Sequence, residues 1–226
     1  MSSVKDNLLG VRERIESAAR IAGRDPYDVK LVAVSKTVEV ARIREAIEAG
    51  VSILGENYIQ EAQKKIEEIK KPVSWHFIGH LQSNKAKYAI RLFDVIHSVD
   101  SPPLAEELNR RAEQADRMVK VMIEVNLSKE ATKFGTGEEM VFSLARRIQT
   151  LRHLSLEGLM TMPPYFDSPE KSRPYYSALR ELEERMIKEG IPVKELSMGM
   201  SNDFEVAIEE GATFVRVGTA IFGPRS

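Results

Sequence analysis

The run Lys30-Leu31-Val32-Ala33-Val34-Ser35-Lys36 decides how this chain is read. A short, unbroken apolar stretch rich in valine reads as a buried strand, and it ends in a lysine. From Val38 to Ala49 the pattern changes to that of an amphipathic helix, which Gly50 closes. The same unit recurs in both directions. Toward the N-terminus, Val4, Leu8, Val11, Ile15, Ala18 and Ala22 form one apolar stripe at helical spacing, stopped by Gly23. Toward the C-terminus, strands are predicted over Ser52–Gly55, Trp75–Gly79, Val95–Val99, Val119–Leu127, Leu154–Met160, Glu195–Met198 and Thr213–Val217. With Lys30–Ser35 they make eight.

The helices between them carry their own punctuation. Ser101-Pro102 is a cap followed by proline, and Thr136-Gly137-Glu138-Glu139 has the form of a capping box before Val141, Leu144, Ala145 and Ile148. Ser168-Pro169 opens a long helix through Leu179, Leu182 and Met186 that Gly190-Ile191-Pro192 ends, and Gly211 stops the helix before the last strand. Strict alternation implies parallel strands joined by crossover helices, and eight such units close into a barrel. The expected fold is α/β, a single (β/α)8 TIM barrel with an extra N-terminal helix, one domain over residues 1–226. An open doubly wound sheet is the alternative. No composition shift or low-complexity linker marks a second domain.

Composition narrows the function classes. The 33 basic and 34 acidic residues nearly cancel, so no global field favours nucleic acid or a membrane surface. Lys64-Lys65 and Lys70-Lys71 alternate with glutamates and read as solvated helix faces. The absence of cysteine excludes disulfides, thiolate metal ligands and a cysteine nucleophile, and agrees with a reducing cytoplasm. The N-terminus, Met-Ser-Ser-Val-Lys-Asp, has no apolar signal region, and no apolar stretch approaches the roughly 18 residues of a membrane span. His76, His80, His97 and His153 lack ligand spacing, so no metal site is expected.

Residues at the carboxyl ends of barrel strands face the mouth where ligands bind. In order they are Lys36; Glu56 and Asn57; His80; Ser98 and Asp100; Asn126; Thr161; Met200, Ser201 and Asn202; Arg216, Gly218 and Thr219. A lysine placed there can be desolvated, and a neutral amine condenses with an aldehyde to give a Schiff base. Taken alone, Lys36 could equally be a strand-end lysine reaching solvent. The last two units weigh against that. After strand seven, Gly199 lets backbone approach a ligand, while Ser201 and Asn202 are placed to cap the next helix. After strand eight, Gly218-Thr219 opens the short segment Ala220-Ile221-Phe222. Loops after strands seven and eight, with a short extra helix, form the recurrent phosphate site of these barrels. Ordinary capping is the alternative for each loop.

Alternation in the last strand puts Phe214 and Arg216 on one face and Val215 and Val217 on the other. A charged inward group near the mouth needs a ligand or a structural carboxylate partner. In Trp75-His76-Phe77-Ile78-Gly79-His80, His76 reads as a core histidine and His80 as lining the mouth. Asn57 is placed to cap the helix that starts beside it, or to meet a ligand hydroxyl or ring oxygen.

These segments together resemble the pyridoxal phosphate homeostasis proteins, single-domain relatives of the alanine racemase barrel. The matching stretches are Leu31-Val32-Ala33-Val34-Ser35-Lys36-Thr37, Gly55-Glu56-Asn57-Tyr58, Trp75-His76-Phe77-Ile78-Gly79 with Leu81-Gln82-Ser83-Asn84-Lys85, Glu157-Gly158-Leu159-Met160, Leu196-Ser197-Met198-Gly199-Met200-Ser201, and Val215-Arg216-Val217-Gly218-Thr219 through Phe222-Gly223. They are colinear over nearly the whole chain. Val38 departs from the pattern, where proline is more usual.

The resemblance implies a fold-type III barrel that binds pyridoxal 5′-phosphate (PLP), with Lys36 carrying the cofactor as a Schiff base. It implies that Ser201, Gly218 and Thr219, with Asn202 beside them, hold the phosphate, that Arg216 approaches the pyridine nitrogen, and that Asn57 and His80 lie near the ring. An arginine there does not keep that nitrogen protonated as a carboxylate would, which weakens the electron sink. The two-domain racemases also bring a tyrosine from a C-terminal domain, and here the chain reaches Ser226 directly after the last barrel unit, so that tyrosine is expected to be absent. The expectation is a cytoplasmic, monomeric protein of intracellular PLP homeostasis, with no dedicated catalytic residues and with PLP-dependent apo-enzymes as recipients. A weak amino acid racemase or lyase is the alternative, and a Schiff-base aldolase acting on a phosphosugar would share the lysine and the phosphate loops.

Overall fold

Ser3 begins the first helix by reciprocal capping: its hydroxyl accepts the Asp6 N–H at 3.0 Å, and the Asp6 carboxylate reaches back to the Ser3 amide. The computed structural model describes residues 3–128, 130 and 133–224. After α1 (Val4–Ile21), strands and helices alternate: β1 (Lys30–Val34), α2 (Val40–Glu48), β2 (Ile53–Glu56), α3 (Ile59–Ile69), β3 (Ser74–Phe77), α4 (Ala86–Leu92), β4 (Val95–Val99) and α5 (Pro102–Gln114). The second half continues with β5 (Val119–Glu124), α6 (Val141–Gln149), β6 (Leu154–Met160), α7 (Arg173–Lys188), β7 (Glu195–Met200), α8 (Phe204–Glu209), β8 (Phe214–Val217) and α9 (Thr219–Phe222).

Each strand pairs in parallel with its neighbour in sequence, and β1 closes on β8 through Val32↔Arg216 and Ala33↔Val217. The expected barrel is therefore formed, and the open sheet is not. The pleat sorts side chains into two layers. Outward residues such as Ala33, Leu54, Phe77, Ile96, Leu196 and Val215 join the helices in the main core. Inward, Val32, Val95, Met122 and Phe214 fill the lower lumen. The stripe Val4, Leu8, Val11, Ile15 and Ala18 buries α1 against α8 and α9, the elements that carry the end of the mouth.

Two glycines are fixed by close approach. A Cβ at Gly158 would lie 1.8 Å from the Glu195 carbonyl oxygen, where β6 and β7 begin to pair. Gly199 has φ +88°, and a Cβ there would meet Phe204 Cα and Ala207 Cβ of α8. The space this glycine leaves open is thus filled by a helix.

Several capping expectations are corrected as well. Thr136 does not cap α6; its N–H donates to the Glu124 carbonyl and its carbonyl accepts from Asn126, a bridge that extends β5. Proline does open α5, but the Ser101 hydroxyl bonds Asp100 rather than the helix. Ser168-Pro169 opens a 3-10 turn, and α7 starts at Arg173. Lys65 is buried, not on a solvated face.

Candidate functional site: a lysine and an arginine in one chamber

On β1, alternation directs Val32, Val34 and Lys36 to the lumen side and Leu31, Ala33 and Ser35 toward the helices. Lys36 follows the strand in a tight turn closed by the Val38 N–H donating to the Ser35 carbonyl at 3.0 Å. On β8 the same rule stacks Arg216 above Phe214. Val34, Lys36 and Arg216 line a chamber of about 220 Å³ at the strand carboxyl ends. Ser201, Asn202, Gly218 and Thr219 line it as well, and Asn57, Ile78, Met162 and Tyr165 complete it. A hollow beside the start of β1 is larger, about 860 Å³, but lies at the other end of the barrel, and the lysine that lines it, Lys30, is paired with Glu195.

Arg216 is anchored on two sides, yet not by a carboxylate. Its Nη1 donates to Ser197 Oγ at 2.7 Å and its Nη2 to the Thr161 carbonyl at 2.9 Å. Among the described residues no acid comes within ion-pairing distance of it. Burial pushes its pKa below the ordinary arginine value, opposed by the field of Tyr176, Glu124 and Asp203. Given how high that ordinary value is, the group keeps its charge at neutral pH.

Beneath Arg216 a polar chain crosses the lumen. Ser197 Oγ lies 2.9 Å from His97 Nδ1, and His97 Nε2 lies 2.9 Å from His76 Nδ1. Arginine only donates, and His97 is the other partner of Ser197 among the described residues. The serine hydrogen is thus assigned to His97, and His97 in turn donates to His76. Burial holds both rings neutral, His76 down to about 4 and His97 well below its ordinary value. His76 is the core histidine the sequence suggested.

The phosphate-like loops are organised differently from the capping expectation. Ser201 does not cap α8. It accepts the Gly218 and Ala220 N–H groups at 3.2 and 3.4 Å, tying the loop after β7 to the start of α9. Asn202 lines the chamber and donates to the Phe166 carbonyl. Asp203 holds the loop by accepting from the Met200 N–H and the Ser172 hydroxyl.

Asn57 does not cap α3; its Oδ1 is buried at the chamber wall without a hydrogen-bond partner among the described residues. A buried acceptor in that state invites a donor from a ligand. Glu56 leaves the mouth altogether, pointing to the helix layer. Nor does His80 line the chamber. It is exposed, stacks on Phe134 at 3.8 Å between ring centres, and lies 3.9 Å from Asp100. It borders an adjoining hollow that shares Asn57 and Met162 with the chamber. β3 ends at Phe77, and at Gly79 the backbone packs against Asn57, which ends the alternation that would have carried His80 inward. Among the described residues no cluster of three or more His, Asp or Glu is placed to hold a metal ion.

The model of the family "Alanine racemase, N-terminal domain" matches residues 7–226. The pyridoxal phosphate homeostasis protein of Aquifex aeolicus (strain VF5) is 46% identical over 222 residues, covering 97% of each chain. This chain belongs to the pyridoxal phosphate homeostasis protein family. The family member of Escherichia coli (strain K12) is 39% identical over 233 residues, covering all of this chain and 98% of that one. Among solved structures, PipY of Synechococcus elongatus PCC7942, described with PLP bound, has a TM-score of 0.87 at 35% identity and covers 98% of this chain and 100% of that one. The alanine racemase of Clostridium difficile 630 shares the fold alone, with a TM-score of 0.77 at 16% identity over 56% of that chain.

Within this family frame, some of the site escaped the sequence. Met162 and Tyr165 come from the loop after β6, which carries no strand periodicity. Ser197 and His97 occupy inward positions of β7 and β4, so alternation alone could have paired them with Arg216. Glu124, buried at the end of β5, borders the adjoining hollow; burial and the nearby Asp100 push its carboxyl up to about 7, against the pull of Arg216.

Proposed function

We propose that the protein binds pyridoxal 5′-phosphate in this chamber and serves intracellular PLP homeostasis by holding the cofactor and releasing it to PLP-dependent apo-enzymes. The observation that carries the reading is the joint placement of Lys36 and a buried Arg216 in the lining of one chamber, with no carboxylate among the described residues within ion-pairing distance of the arginine. Such a chamber suits a small anion that also offers an aldehyde. The orphaned Asn57 Oδ1 adds an acceptor for a ligand hydroxyl, and the PLP described in PipY, a family member, supports the choice of ligand.

Lys36 would hold the cofactor by condensing its amine with the aldehyde, with loss of water. Ser201, whose hydroxyl accepts two N–H groups and so turns its own hydrogen away from them, holds the phosphate with Asn202, Gly218 and Thr219. Ser197 and Thr161 hold Arg216, which would face the ring nitrogen of the bound cofactor. When bound, PLP supplies an aldehyde and an electron-withdrawing ring. Arg216 offers that ring no readily transferred proton, so the chain's own residues favour retention of the cofactor over turnover of amino acids. Lys36 would need a second acid–base group across the substrate carbon to racemise it. We place the protein in the cytoplasm as a monomer, without dedicated catalysis.

The test is borohydride reduction of the PLP-loaded protein followed by peptide mass spectrometry. The expected result is one pyridoxyl phosphate addition, on the peptide containing Lys36. Addition at a different lysine, or tight binding without any addition, would overturn the assignment.

A further inference from the structure

The turn that presents Lys36 is gripped from outside the barrel by charged residues that the proposed binding reaction does not touch. Lys65, on the inward face of α3, is buried, with its side chain 7% exposed. Its Nζ donates to the Ser35 carbonyl at 2.5 Å, to Glu56 Oε1 at 2.8 Å and to Glu61 Oε1 at 2.6 Å. Glu61 Oε1 also accepts the Thr37 N–H at 2.6 Å, and Ser35 Oγ donates to Glu56 Oε1 at 2.6 Å. The carbonyl before Lys36 and the amide after it are thus tied to one buried ion cluster.

The backbone shows why a tie is needed. Thr37 has φ +61°, the left-handed region that a β-branched residue avoids. Left alone, residues 35–38 would relax, and the Lys36 side chain would swing with them. A buried cation is an expensive way to fasten a loop, since its desolvation is offset only by well-placed acceptors. Here all three ammonium hydrogens find one.

We propose that Lys65, acting with Glu61, is a positioning residue for Lys36: it holds the strained turn so that the Lys36 amine is aimed into the chamber. This rests on the reading of Lys36 as the cofactor-binding amine. The cluster touches neither the chamber nor the phosphate loops. Its loss should therefore weaken only the part of the affinity that depends on Lys36.

The experiment is a double-mutant cycle on PLP affinity, with wild type, Lys65→Met, Lys36→Ala and the double variant. Lys65→Met should lower affinity about 10-fold when Lys36 is present, and less than about 2-fold when it is absent, a coupling in the range for residues sharing one network. Equal losses in both backgrounds, or none in either, would overturn the proposal. Should Lys65→Met not fold, the partly exposed Glu61→Ala takes its place in the same cycle under the same criteria. A second readout needs no cofactor: hydrogen exchange at the Thr37 amide should speed up at least about 10-fold in Glu61→Ala, by loss of a charge-assisted hydrogen bond. Unchanged exchange would also overturn the clamp. If Lys36→Ala binds PLP as tightly as wild type, the reading of Lys36 itself fails, and the clamp then stands or falls on the Thr37 exchange alone.

Discussion

At the scale of single residues, polarity and burial pull against each other throughout the mouth, and this yields measurable consequences. Ser201 and Thr219 meet the phosphate in our reading, and a hydrogen bond to a charged group is worth about 1.5–3 kcal/mol. Ser201→Ala and Thr219→Val should each weaken PLP binding by roughly 10- to 150-fold. Wild-type dissociation constants for both variants would place the phosphate elsewhere. Lys36→Ala should lose all covalent attachment while retaining weaker, phosphate-dependent binding, as read by reduction and mass spectrometry beside equilibrium dialysis. Glu124 supplies a pH signature. Its folded pKa, about 7, lies above the ordinary 4.5, so the folded state binds the extra proton. That contribution is fully present below pH 4.5 and is lost as pH rises through 7, on the order of 3 kcal/mol. Glu124→Gln stays neutral at every pH. The stability difference between variant and wild type should therefore move in the variant's favour from pH 5 to pH 8, in urea titrations at the two pH values. A constant difference would mean that the carboxyl ionises normally.

At the scale of elements, strand periodicity and the glycine stops of helices were legible, and side-chain capping at helix starts was not. Alternation placed Arg216 with Phe214 on an inward face because a pleat allows only two directions, and it failed at His80, which it would have carried inward beyond the end of β3. Capping depends on where one hydroxyl turns, and tertiary partners compete for it: Ser101 bonds Asp100, Ser201 bonds the start of α9, and Thr136 is drawn into a bridge with β5. Lys65 illustrates the same limit, since a lysine among glutamates on α3 looks solvated until Ser35 and Glu56 are brought beneath it. The junction of β6 and β7 gives an element-scale prediction. Gly158→Ala forces a methyl against the Glu195 carbonyl and must push the two strands apart, a cost of about 2–4 kcal/mol. Chemical denaturation should show it as a lowered midpoint; an unchanged midpoint would mean that the strands shift freely there.

At the scale of the whole molecule, the lumen is apolar below and polar above. The polar half runs from His76 through His97 and Ser197 to Arg216, so the cation facing the chamber is anchored by the barrel itself. With that arginine fixed in our reading at the ring nitrogen, and no second proton-transfer group assigned, amino acid chemistry should be slow. Loss of one such group alone typically costs about 10²–10⁴ in rate. Incubation of the loaded protein with L-amino acids in deuterated water, followed by NMR, should show little α-proton exchange. Exchange at about 10 per second, an ordinary enzymatic turnover, would make it an enzyme. By itself the sequence determined the barrel, the direction of each strand's side chains and the residues at the strand ends, because these follow from local periods of 2 and 3.6 and from chain order. Only the tertiary structure decided which strand-end groups share a chamber. It left His80 outside, turned Glu56 away and drew Lys65 in beneath the Lys36 turn, because the outcome depends on where separate loops stop and which buried charges must find partners.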